Sequence, residues 1–208
     1  MKIRPSPWLL ALALAGAHDA FAQAGTAPPP WPVSRESPAP LSTDPVRPLL
    51  LGALRVSLDG TTLAAARQAI GTGASHRQGS GTEALDWLCY TLAEGAGGPQ
   101  RMWLTSSELS RGRIDGVIAT DLPAGSAAAA DCPELPPRFR PVRFDDGLWL
   151  GIPSAELRRA LGMPAKGVPY FASLFHGETG NLQMVSSTSL EFRGARVVTL
   201  HVAHSSTN

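Results

Sequence analysis

The sequence predicts an α+β protein, a tandem repeat of a short helix packed on a small antiparallel sheet, with the two halves docked. Three observations carry that expectation. Gly151 to Pro164 (GIPSAELRRALGMP) has a capping-type Ser, an apolar-periodic turn and a half, and a Gly and Pro to stop it, which describes a short helix with explicit ends. Gly60 to Gly73 (GTTLAAARQAIGTG) repeats the plan, with Arg67 matching Arg158 and Ile70-Gly71 matching Leu161-Gly162. After each helix a strand-like stretch has shared letters: MWLTSSELSRGRIDGVIATDL in the first half, QMVSSTSLEFRGARVVTLHVA in the second. Two matched segments in the same order point to duplication.

Taken in order, residues 1–24 read as a signal peptide. Lys2 and Arg4 precede an apolar run, Trp8 to Ala17, that is too short to span a bilayer, and Ala20-Phe21-Ala22 and Ala22-Gln23-Ala24 offer cleavage sites. The expected location is therefore periplasmic or secreted. No later stretch has the length of apolar residues that a membrane span needs. Residues 25–48 (GTAPPPWPVSRESPAPLSTDPVRP) form a proline-rich tether, because Pro removes backbone donors and biases its neighbours to extended forms. Trp31 within it reads either as a partner-docking anchor or as an aromatic that packs back on the domain.

The first repeat is expected over 49–122. Leu49 to Leu58 opens it as a strand, Asp59-Gly60 turns the chain, Thr61 or Thr62 caps the helix, and Gly71 and Gly73 end it. Ala74 to Thr82 is a polar loop. Strands follow at Leu85 to Leu92, Arg101 to Leu109 and Ile114 to Asp121, separated by turn-forming segments. Residues 123–144 are an alanine- and proline-rich linker. The second repeat, 145–208, has its helix at Ser154 and strands at Tyr170 to Phe175, Leu182 to Thr188 and Arg196 to Ala203.

The chain has 18 basic and 17 acidic side chains, and losing Lys2, Arg4 and Asp19 with the signal leaves the two in balance. That balance argues against nucleic acid as partner, since such a role wants a basic excess. The two cysteines, Cys89 and Cys132, allow one disulfide in an oxidising compartment. Neither lies in a CxxC motif that would indicate redox or metal chemistry.

The segment LGIPSAELRRALGMP resembles the helix signature of the BamE/SmpA outer-membrane assembly proteins, and the tandem arrangement is similar to the beta-lactamase inhibitor protein family. The likeness covers about residues 50 to 205 and rests on Gly151, Leu157, Leu161, Gly162 and Pro164. It implies two helix-plus-sheet halves and a protein partner, one version being a secreted enzyme such as a beta-lactamase.

No catalytic constellation stands out. The Ser clusters contain neither G-x-S-x-G nor S-x-x-K, and Ser106-Ser107 and Ser186-Ser187 fall at equivalent strand positions, which favours cross-strand hydrogen bonding. His201 and His204 lie three apart on one strand, hence on opposite faces, and read as solvated surface residues. No cofactor or metal is expected. Aromatic residues on or beside strands, Trp87, Tyr90, Trp103, Trp149 and Tyr170, with Arg101 and Arg143, are of the types that anchor interfaces. The sequence thus favours a non-enzymatic exported module that binds an envelope or extracellular protein through its joined sheet surface. An enzyme inhibitor and an envelope-polymer hydrolase are the alternatives.

Overall fold

A computed structural model of the chain describes residues 26–30, 48–93, 97–160, 171–173, 176–179 and 182–207. The signal, most of the tether and the loop expected at 165–169 lie outside the described residues, as does Tyr170.

Alternating apolar residues build the architecture. In β4 (Leu85–Leu92), Leu88, Tyr90 and Leu92 point one way while Trp87 and Cys89 point the other. The same alternation splits β5 (Gln100–Ser107) into Met102 and Leu104 against Trp103, and β6 (Gly116–Asp121) into Val117 and Ala119 against Ile118. These strands form an antiparallel meander. β3 (Ser75–Gln78) pairs with β4 on one side of it, and on the other β6 pairs with β11 (Arg196–Thr207). β11 pairs in turn with β10 (Leu182–Arg193), which carries β8 (Phe171–Ser173) and β9 (His176–Thr179). The result is one eight-stranded antiparallel sheet in the order β3-β4-β5-β6-β11-β10-β8, with β9 on β10.

A second sheet has three strands, β2-β1-β7, built from β1 (Leu49–Leu51), β2 (Leu54–Val56) and β7 (Val142–Phe144). The single strand expected over Leu49–Leu58 is thus a tight hairpin. Gly52 makes the turn at φ +57°, and the backbone of Arg138 and Phe139 behind it leaves no room for a Cβ. Helix α1 (Leu63–Ile70) has the expected ends: Thr62 Oγ1 accepts from Ala65 N–H at 3.1 Å, and Gly71 closes it at φ +81°. Its buried residues Leu63, Ala66 and Ile70 follow the helical period. Helix α2 (Ser154–Ala160) occupies the predicted second position and buries Leu157.

The inner face of the large sheet, α1, α2 and the small sheet share one hydrophobic core. Leu88, Leu104 and Val117 meet Leu49, Val142 and Phe144 in it, together with Leu190, Leu200 and Val202 from the C-terminal hairpin. On the outer face a smaller cluster joins Trp87, Trp103 and Ile118 to the Cys89–Cys132 disulfide. The segment after Cys132 runs beside β4, where Thr91 N–H donates to the Pro133 carbonyl at 2.9 Å.

The expected α+β tandem of docked helix-on-sheet halves is therefore corrected. The protein is mostly β, with two antiparallel sheets and two short α-helices among the described residues. Helices of eight and seven residues bury too little to define separate halves. The two segments meet instead by backbone hydrogen bonding, with Leu200 opposite Ala119 and Val202 opposite Val117 at the β6–β11 seam. The expected loop at 74–82 contains edge strand β3, and the expected linker at 123–144 contains β7.

Candidate functional site

The aromatic residues singled out by sequence do not gather on one open surface. Tyr90 is fully buried in the main core, where its hydroxyl donates to the Thr72 carbonyl at 2.9 Å and burial pushes its pKa up to about 12. A Cβ on Gly73 would lie 2.8 Å from the Tyr90 hydroxyl, so a glycine at φ +101° is required there. Trp149 is buried in the same core, with Nε1–H donating to Gln100 Oε1 at 3.1 Å. Gln100 in turn donates to Asp121, whose pKa is raised by burial and partly restored by that hydrogen bond. Arg101 is half-buried on β5, its pKa lowered by burial, and Arg143 is exposed on β7.

Trp87 and Trp103 are brought together. They stand diagonally on β4 and β5, since Trp103 faces Cys89 and Trp87 faces Thr105. Both are buried, and the chain's own Thr26 and Ala27, at the start of the segment Thr26–Pro30, lie against them. Their indole N–H groups donate to the same acceptor, the Thr26 carbonyl, at 3.1 Å from Trp87 and 2.7 Å from Trp103. A carbonyl has two lone pairs, so a single backbone oxygen satisfies both donors. Ala27 packs against the cluster beneath. The chain turns at Thr26 and bends at Ala27, and the three prolines that follow have no backbone N–H to donate, so this segment lies as a strap without joining a strand. His76 on β3 stacks on Trp87 with centroids 5.4 Å apart and rings 17° from parallel, and its Nε2 contacts the Asp131 carbonyl at 2.9 Å.

Two clefts flank the strap. One of about 1080 Å³ runs past Thr26 and Ala27 and is lined by His76, Arg77, Gln78, Glu83, Trp87 and Asp131. The other, about 370 Å³, lies against Pro28, Pro29 and Pro30, and Leu85, Thr105, Gly116, Ile118 and Ala203 line it from the sheet. The second is predominantly apolar in lining. Asp115, which borders it, has its carboxylate engaged by Ser107 N–H at 2.8 Å and Ser110 Oγ at 2.6 Å.

The histidines expected at the surface are buried. His201 sits beside Ile118 across the β6–β11 seam, and burial pushes its pKa down to about 4. His204 lies on the opposite face, as the spacing requires. Its Nδ1 is 2.8 Å from Ser186 Oγ, and its Nε2 is 3.4 Å from Asp59. Burial raises the Asp59 pKa, while the neighbouring His204 and Arg113 lower it. Ser186–His204–Asp59 thus forms a polar relay, but Ser186 is fully buried and offers no approach to a substrate carbonyl. Among the described residues no three His, Cys, Asp or Glu side chains converge as metal ligands.

The strap is the element that sequence reasoning missed, because a proline-rich stretch reads as a tether whether or not it lies on the domain. The one signal was compositional: a run of prolines at 28–30 and, some sixty residues on, the first of two tryptophans on neighbouring strands. No protein-family model, curated protein or solved structure matches this chain.

Proposed function

We propose that the protein is an exported, non-enzymatic interaction module that binds another envelope or extracellular protein. On this reading the outer face of the large sheet takes an extended, proline-bearing segment of that partner. The observation that carries it is the pair of indole donors aimed at one backbone carbonyl, Thr26 O. Aromatic-lined grooves recognise proline-rich segments because such segments are already extended and lose little entropy on docking. Here the groove holds a segment of that chemistry, supplied by the chain itself. Export rests on the N-terminal signal pattern. The hydrolase alternative draws only on the Ser186–His204–Asp59 relay and gains no support from a serine that is shut away.

The test uses the full chain with Pro28, Pro29 and Pro30 replaced by glycine, which loosens the strap without shortening the protein. Titrated with the peptide Gly-Thr-Ala-Pro-Pro-Pro, its Trp87 and Trp103 indole N–H resonances should shift together while that of Trp149 stays. Absence of any shift at millimolar peptide would refute the reading.

A further inference from the structure

Among the described residues, a half-open, predominantly apolar hollow of about 370 Å³ lies against the three prolines of the strap. Its lining from the sheet includes two of the smallest side chains available, Gly116 and Ala203. Gly116 is bound to stay small, because a Cβ there would collide with Thr105 Oγ1. The strap therefore satisfies the indole pair and borders the adjoining hollow without filling it. Pro29 borders this hollow and not the larger cleft, whereas Thr26 and Ala27 border only the larger cleft. The strap thus runs from the indole clamp toward the hollow.

Resting on the groove reading above, we propose that Thr26–Pro30 is a displaceable cis occupant. The partner segment that displaces it resembles the strap but carries a bulky apolar side chain at the position of Pro29, which enters the hollow between Leu85 and Ile118. A segment tethered in the same chain competes at an effective concentration on the order of millimolar. A partner that merely copied the strap would lose to it, so it must make a contact that the strap does not. The hollow is where such a contact is available, since filling it removes more apolar surface from water than a proline ring does.

The experiment compares two peptides, Gly-Thr-Ala-Pro-Pro-Pro and Gly-Thr-Ala-Pro-Phe-Pro, on the full-length chain with glycines at 28, 29 and 30. The phenylalanine peptide is expected to bind at least ten-fold more tightly, about 1.4 kcal/mol. Adding Ala203→Leu, which fills the hollow from below, should erase that advantage and leave the all-proline peptide unchanged. Equal or weaker binding of the phenylalanine peptide overturns the inference and leaves the groove reading standing; binding of neither peptide overturns both. Should the glycine chain fail to fold, Pro29→Phe in the otherwise native chain is the second measurement. It should raise Tm by seating the strap more firmly, and an unchanged or lower Tm overturns the inference.

Discussion

Lowering the pH from 7 to 4 should remove stability that His201 supplies. In the folded chain its imidazole is buried at the β6–β11 seam and holds a proton only below about pH 4, against an ordinary value of 6.5. The unfolded chain takes up that proton below 6.5, so the unfolded state binds more protons throughout the interval. Stability contributed by neutral His201 is therefore complete above pH 6.5, falls as the pH drops toward 4, and changes no further below that. At about 1.4 kcal/mol per pH unit, the interval corresponds to a loss of roughly 3 kcal/mol. Asp59 and Asp121 have carboxyl groups raised by burial and work in the opposite sense, stabilising the fold at acid pH and losing that contribution as the pH rises through their folded values. Urea unfolding of the wild type and of His201→Gln across pH 4 to 7 separates the effects, because the aspartates are common to both chains. The difference in unfolding free energy between the two should shrink by roughly 3 kcal/mol between pH 7 and pH 4. A difference that stays constant with pH would refute the assignment of a buried neutral imidazole.

Other expectations follow from the packing. Tyr90→Phe leaves the Thr72 carbonyl without its donor and should cost about 1 kcal/mol by urea titration. Gly73→Ala should cost more than Tyr90→Phe, because it adds a Cβ against the same hydroxyl at a left-handed φ. Replacing both Cys89 and Cys132 by Ala opens a loop with a sequence separation of 43 and should lower stability by roughly 4 kcal/mol on the chain-entropy account, read as a drop in Tm. Trp103→Phe removes one of the two donors to Thr26 and should loosen the strap, seen as faster hydrogen exchange at the Trp87 indole with little change in global Tm.

Local chemistry was legible wherever local chemistry decides. Leu85–Leu92 alternates and is a strand, Thr62 and Gly71 bracket a helix, and the two cysteines are paired. Non-local pairing was not legible. Ser75–Gln78 has no apolar alternation, and it is a strand because β4 offers it a ladder, His76 opposite Trp87. Val142–Phe144 lies in a stretch that composition assigns to a linker, yet its Val and Phe face the core beside Leu49 and Leu51. The β6–β11 seam, which turns two expected halves into one sheet, joins residues some eighty positions apart, for which no local pattern exists.

The candidate site shows the same division. Period-two alternation separates Trp87 and Trp103 from Tyr90, but it cannot say that both faces are covered. The tryptophans proved to be interface residues within the molecule, and the strap that lies against them is about sixty residues upstream of the first. His201 and His204 were placed on opposite faces by their spacing. Their burial depended on Ile118 and Asp59, contributed by distant strands and turns.

Hydrogen exchange at the indole N–H groups tests the strap-and-groove account most directly. In the native chain the Trp87, Trp103 and Trp149 indoles should all be protected. In the chain with glycines at 28–30, Trp87 and Trp103 should lose protection together while Trp149, held by Gln100, keeps it, and added Gly-Thr-Ala-Pro-Pro-Pro should restore the pair. If Trp87 and Trp103 stay as protected as Trp149 once the strap is loosened, or if the peptide restores nothing, the outer face is not a receptor for an extended segment.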